Sequence, residues 1–109
     1  MATDGSDEWP GPAARPELRP QLEAAATLVR ASERILVAAH AHPDGDAVGS
    51  SMACFGVLRA LGKQVTLFNV DAVPFNFGFL PFATDWQMTL PEGAAFDLTI
   101  LLDCAHRKL

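Results

Sequence analysis

The chain has 109 residues, half of them hydrophobic and 19% charged, and its formal net charge is −5. This composition excludes a wholly disordered chain, and the length leaves room for one domain at most. The eight Lys and Arg residues are scattered, which excludes a basic track for a long duplex nucleic acid but not a small anionic substrate held through metal ions.

The amino-terminal segment is polar and acidic. Residues 1–16 contain several prolines and glycines but neither the basic nor the apolar region of a signal peptide, so we expect a flexible tail. No apolar run approaches the length of about 20 residues that spans a bilayer. Cys54 and Cys104 match no zinc or redox spacing. These features favour a cytoplasmic protein that does not engage a membrane.

From residue 17 onward the sequence predicts an α/β domain. Apolar residues at three- and four-residue steps predict a helix over 17–29, and the continuous apolar run Arg34–Ala39 predicts a buried strand of a parallel sheet. Proline and glycine place a loop at 40–46. A second helix is predicted over 47–61, with Gly62 as the residue that ends it.

The second half of the sequence continues the pattern. Strands are predicted over 64–70, 86–89 and 96–102, with an irregular aromatic segment over 74–81. The resulting order of strands and helices is that of a doubly wound parallel sheet with flanking helices, here an incomplete one.

The loop after the first strand carries the residues with the most chemistry. His40, His42, Asp44 and Asp46 lie within seven positions, and Asp103 follows a separate apolar strand. Ligands of open parallel sheets bind outside the carboxyl ends of the strands, so these groups converge if the two strands are neighbours. Clustered carboxylates need a cation to stay ionised together, and oxygen ligands with one imidazole suit Mn²⁺ or Mg²⁺ better than Zn²⁺. Two ions would suit phosphoryl displacement.

Each acidic residue also has an ordinary structural alternative. Asp46 is a natural N-cap for the second helix, and Asp44 suits a turn before Gly45. His40 and Asp103 have equally plain alternatives as a hydrogen-bonded and a solvated residue at a strand end. All four alternatives would have to coincide at one edge of the sheet, which favours the metal site.

The residues His40–Ser50, which fit the pattern HxxPDGDAxGS, resemble the first motif of the DHH phosphoesterases, and most closely the branch of bifunctional oligoribonucleases and 3′-phosphoadenosine 5′-phosphate (PAP) phosphatases. The segment FDLTILLDCA around Asp103 is similar to the second motif of that family. Residues 60–81, with their Phe-Leu-Pro, are similar to the segment between the two motifs. The resemblance covers about residues 20–109.

The resemblance implies a manganese-dependent phosphoesterase that uses two metal ions. His40 and Asp44 would hold one ion, Asp46 the other, and Asp103 would bridge both; Mg²⁺ is the alternative metal. The implied substrates are short oligoribonucleotides, PAP, or linear and cyclic dinucleotides. His42 stands where the motif fixes no residue, and we do not expect it to be a ligand. A homodimer is compatible with the full-length form.

The sequence also departs from the family. The Asp-His-His triplet that names it does not occur, nor do the later aspartate and the carboxyl-terminal substrate-binding domain. We therefore expect residues 17–109 to be the amino-terminal part of a catalytic domain that is inactive alone. The alternative is a non-catalytic remnant, or a module that binds a nucleotide or a metal.

Two other enzyme classes fit the loop less well. The HxHxDH motif of metallo-β-lactamases requires a histidine where Gly45 stands. The haloacid dehalogenases place a nucleophilic aspartate directly at the end of a strand, whereas Asp44 lies five residues beyond Ala39.

Overall fold

The computed structural model describes residues 15–104. The predicted tail at 1–16 lies almost entirely outside the described residues. The elements in chain order are α1 (Arg19–Ala31), β1 (Arg34–Ala39), α2 (Gly45–Ala60), β2 (Gln64–Phe68), β3 (Trp86–Gln87) and β4 (Leu98–Leu102). The chain separates into two compact units, of which the first contains α1 and the second, from Ser32 onward, contains α2 and the sheet.

The helix α1 confirms the first predicted helix, with its start shifted toward the carboxyl end. A short 3-10 turn at Pro16–Leu18 precedes it, and proline suits this first position because its missing N–H needs no partner there. On the helix surface Arg19 pairs with Glu23 at 2.9 Å, an exposed i,i+4 pair that contributes little stability. Within residues 15–104, neither helix is both long enough and apolar enough to cross a bilayer.

The sheet has four strands in the order β3-β2-β1-β4, and all described pairs are parallel. The chain moves outward from β1 to β2 and β3 and then returns to the other side of β1 with β4. This order confirms the predicted α/β fold class of a doubly wound sheet. The direction of winding reverses between β1 and β4, and such a switch point is where these folds place their ligands.

The core of the second unit lies between α2 and the sheet. Ile35, Val37 and Leu67 are fully buried, as are Ala47 and Val48 near the start of α2. The strand β4, which we predicted to be buried, is instead half exposed, and Leu101 keeps 51% of its surface accessible. Within the described residues β4 pairs only with β1, so it has a neighbour along one edge alone.

The helix α2 begins two residues earlier than predicted. The Asp44 carboxylate accepts a hydrogen bond from the Ala47 N–H at 2.9 Å, which makes Asp44 the N-cap and allows helical geometry from Gly45 onward. Gly62 ends the helix as expected. It has a φ of +84°, and the hydrogen bonds from Gly62 and Lys63 back into the last turn form a Schellman motif.

Aromatic residues that follow β2 in the chain pack against α2. Residues 74–81 were expected to be irregular, and they contain one 3-10 turn, Phe75–Phe77; a second turn, Ala83–Asp85, follows them. The Phe82 ring meets Phe55 of α2 edge-on, with centroids 5.3 Å apart. The Phe77 ring lies so close to Gly45 that an added Cβ there would be 3.2 Å from it. Glycine at the start of α2 therefore lets this segment pack beside the loop that precedes the helix.

Candidate metal centre

Three of the four predicted ligands meet at the carboxyl edge of the sheet. Ala39 and Leu102 are register partners in β1 and β4, so the residues that follow them, His40 and Asp103, leave the sheet side by side. The His40 Nε2 and Asp103 Oδ2 atoms are 3.2 Å apart. Asp44 reaches the same point from the N-cap of α2, with Oδ1 4.0 Å from His40 Nε2. One ligand atom from each of the three residues lies within 4.8 Å of the others.

The imidazole of His40 is oriented for coordination through Nε2. Its Nδ1 lies 2.8 Å from the Ala41 carbonyl oxygen, to which it donates a hydrogen bond, and this leaves Nε2 facing the two carboxylates. The Ala41 carbonyl raises the pKa of His40, and the Asp103 carboxylate acts in the same direction. A hydrogen bond from the other ring nitrogen to a carbonyl is the usual support of a metal-ligating histidine.

The donor set fits a divalent cation of the harder kind. One imidazole nitrogen and two carboxylates supply two negative charges to a position that is open to solvent, since the Asp44 and Asp103 side chains are 65% and 43% exposed. Carboxylates with a single imidazole match Mn²⁺ and Mg²⁺. Asp103 holds a φ of +55°, a left-handed conformation that aspartate tolerates better than most residues, at the point where its side chain turns toward His40.

Asp46 and His42 lie outside this cluster. Asp46 is exposed in the first turn of α2, two positions after Asp44 and therefore about 200° further around the helix axis. The N-cap role considered for Asp46 belongs to Asp44, so that alternative is wrong for Asp46. The His42 side chain is 92% exposed, and its nearest acidic neighbour is Asp71, at 3.7 Å from Nδ1.

Sequence reasoning missed two residues at the end of β2. Asn69 is 1% exposed, and its side-chain amide donates to the His40 carbonyl oxygen at 2.9 Å. Asp71 accepts a hydrogen bond from the His42 N–H at 2.8 Å. The signal was present in the sequence, because β2 is parallel to β1 and ends at the same edge of the sheet. Polar residues directly after this strand should have been placed beside the loop.

A recess of about 320 Å³ opens beside the cluster, and its volume is at the lower end of small-ligand sites. Its lining is mostly apolar and comes from the ends of β1 and β2: Ala39, His40, Ala41, Phe68 and Val70. A cleft of the same volume lies at the opposite edge of the sheet, near Arg34 and Gln64. Of these two, the recess alone adjoins the histidine–carboxylate cluster, so chemistry rather than volume identifies the site.

Fold and site together define a class: an α/β domain with a parallel, doubly wound sheet and a candidate divalent-metal centre at its switch point. The all-parallel described sheet does not match the antiparallel sheets of the metallo-β-lactamases. No protein-family model matches the chain. It is 34% identical over 100 residues to the bifunctional oligoribonuclease and PAP phosphatase NrnA of Thermus thermophilus. The match covers 88% of this chain and 29% of the relative, so the chain spans less than a third of that protein.

Proposed function

We propose that the chain is part of a DHH-type phosphoesterase that requires Mn²⁺. The observation that carries this proposal is the convergence of His40, Asp44 and Asp103 within 4.8 Å at the switch point of a parallel sheet. The similarity to the Thermus oligoribonuclease and PAP phosphatase supports the reaction class, because those activities are both hydrolyses of phosphoesters.

We propose for the four residues the roles that the family resemblance implies, and the cluster of His40, Asp44 and Asp103 supports this for three of them. His40 and Asp44 would hold one ion, Asp103 would bridge to a second, and Asp46 stays the predicted ligand of that second ion. Ions bound here would place positive charge beside the phosphoester and would stabilise the negative charge that develops during its hydrolysis. The Ala41 carbonyl fixes the orientation of the His40 ring, and the amino end of α2 directs free N–H groups and a positive dipole end toward the same edge.

Short anionic substrates fit this arrangement better than long ones. The chain offers no basic track, and its candidate centre faces a recess of limited size. We therefore propose short oligoribonucleotides or PAP as substrates, with dinucleotides as further candidates. Mg²⁺ as the working metal, a cytoplasmic location and a homodimer of the longer form stay predictions.

Metal binding by the chain itself is the first test. We expect Mn²⁺ to bind with a dissociation constant no tighter than micromolar, because part of the family's ligand set does not occur in the sequence. The Asp103→Ala variant should lose this binding, whereas Asp85→Ala, which removes a carboxylate paired with Arg59 in the last turn of α2, should keep it. Electron paramagnetic resonance of free Mn²⁺ measures both. No binding by the parent at millimolar Mn²⁺ would contradict the proposal.

Hydrolysis is tested in a chimaera in which the matched region of this chain replaces that of the Thermus relative. We expect Mn²⁺-dependent release of mononucleotides from short oligoribonucleotides and of phosphate from PAP. A folded chimaera that binds Mn²⁺ but hydrolyses neither substrate would favour the alternative, a non-catalytic module that binds metal or nucleotide.

A further inference from the structure

We infer that Asn69 and Asp71 are positioning residues for the metal centre. Extending from the end of β2, they hold the backbone of residues 40–42 so that His40 and Asp44 face Asp103. The inference rests on the proposed function for its chemistry, but the hydrogen bonds that carry it belong to the described structure alone.

Asn69 is a buried residue whose side chain links the His40 backbone to the Asp71 backbone. It is 1% exposed, and both ends of its side-chain amide are used: Nδ2 donates to the His40 carbonyl oxygen and Oδ1 accepts from the Asp71 N–H, each at 2.9 Å. Its backbone N–H donates to the Gln87 carbonyl oxygen at 3.0 Å. A buried amide with its groups paired is rigid, because any displacement leaves a polar atom without a partner.

Asp71 holds the next part of the loop. Its Oδ2 accepts from the His42 N–H at 2.8 Å, and its own carbonyl accepts from the Trp86 indole N–H at 2.9 Å. His42 has a φ of +54°, a left-handed conformation that costs free energy for a residue with a side chain. The hydrogen bond from its N–H to the Asp71 carboxylate therefore stabilises this turn.

The held segment lies between two candidate ligands. His40 precedes His42 by two residues and Asp44 follows it by two, so the conformation at His42 sets the direction from one ligand to the other. Asp71 does not belong to the cluster itself, because its carboxylate is turned toward the His42 backbone. Partners that orient ligands in this way typically change metal affinity by about 10- to 100-fold when they are removed.

The test compares two substitutions of Asp71 that separate the hydrogen bond from the charge. Asp71→Ala removes both, whereas Asp71→Asn keeps an acceptor oxygen and removes only the charge. We expect Mn²⁺ to bind Asp71→Ala about tenfold more weakly than the parent, and Asp71→Asn within about threefold of it. Asp85→Ala is the matched control, since it removes one carboxylate away from the loop, and its affinity should stay within about twofold. Equal losses in Asp71→Asn and Asp71→Ala would overturn the inference, because charge alone would then explain the effect.

A second measurement on the same variants needs no metal. Amide hydrogen exchange at His42, followed by NMR, should be about tenfold faster in Asp71→Ala and close to the parent rate in Asp71→Asn. Unchanged exchange in Asp71→Ala would overturn the positioning role. Should the parent bind no Mn²⁺, the proposed function fails while the exchange measurement still decides the role of Asp71. Should the parent bind Mn²⁺ and Asp71→Ala match it, only the positioning role fails.

Discussion

Asp44 has two functions that substitution can separate. It caps α2 through the 2.9 Å hydrogen bond from Ala47 N–H, and it is a candidate metal ligand 4.0 Å from His40 Nε2. Asp44→Ala removes both. Loss of an N-cap costs about 1 kcal/mol, and the exposed pair with His40 adds little, so the cap decides the stability change. A loss of about 1 kcal/mol lowers Tm by about 4–8 °C in a domain of this size.

Asp44→Asn keeps the cap, because asparagine caps helices about as well as aspartate, but it removes the ligand charge. We expect a Tm within about 2 °C of the parent together with Mn²⁺ affinity at least about tenfold weaker. Thermal unfolding followed by circular dichroism and a Mn²⁺ titration supply the two readouts. If Asp44→Asn unfolds at as low a temperature as Asp44→Ala, or binds Mn²⁺ as tightly as the parent, Asp44 does not have these two separable functions.

Three further predictions concern packing, pH and the candidate bridging ligand. A Cβ added at Gly49 meets nothing within 4 Å, so Gly49→Ala should stabilise α2 by about 0.5–1 kcal/mol. A Cβ added at Gly56 would lie 2.7 Å from the Phe82 ring, so Gly56→Ala should lower the free energy of unfolding by about 1 kcal/mol. Urea unfolding measures both changes. Two backbone N–H groups at the start of β1 donate to the Asp97 carboxylate and lower its pKa. The stability that this carboxylate gives the fold is therefore complete above the ordinary aspartate pKa and is lost as pH falls through the lowered pKa of Asp97. The Tm deficit of Asp97→Ala should accordingly be largest near neutral pH and shrink in acid; a deficit independent of pH would contradict this. In the chimaera, Asp103→Ala should abolish Mn²⁺-dependent hydrolysis of short oligoribonucleotides, and activity within about tenfold of the parent would exclude the bridging role.

The strands and helices were predictable where local pattern and tertiary packing agree. The apolar run Arg34–Ala39 became β1 with its predicted bounds, and Gly62 took the left-handed conformation that ends α2. The start of α2 was misplaced because Asp44 and Asp46 are both good N-caps in sequence, and only the structure shows which one bonds Ala47. The burial of β4 was overestimated because apolarity does not reveal how many neighbours a strand has.

The centre itself followed from one rule about parallel sheets. His40 and Asp103 are 63 positions apart, yet they meet because each directly follows one of two paired strands. The same rule, applied to β2, would have found Asn69 and Asp71. The direction of the Asp46 side chain depends on where α2 begins, because each residue turns the helix by about 100°. Its role as a ligand stays a prediction, since the described cluster does not include Asp46.

The most direct measurement is a crystal structure of the chain with Mn²⁺, with the ion located by its anomalous scattering. We expect a peak bound by His40 Nε2 and by carboxylate oxygens of Asp44 and Asp103. A peak elsewhere with these three side chains free of metal, or no peak at millimolar Mn²⁺, would contradict it.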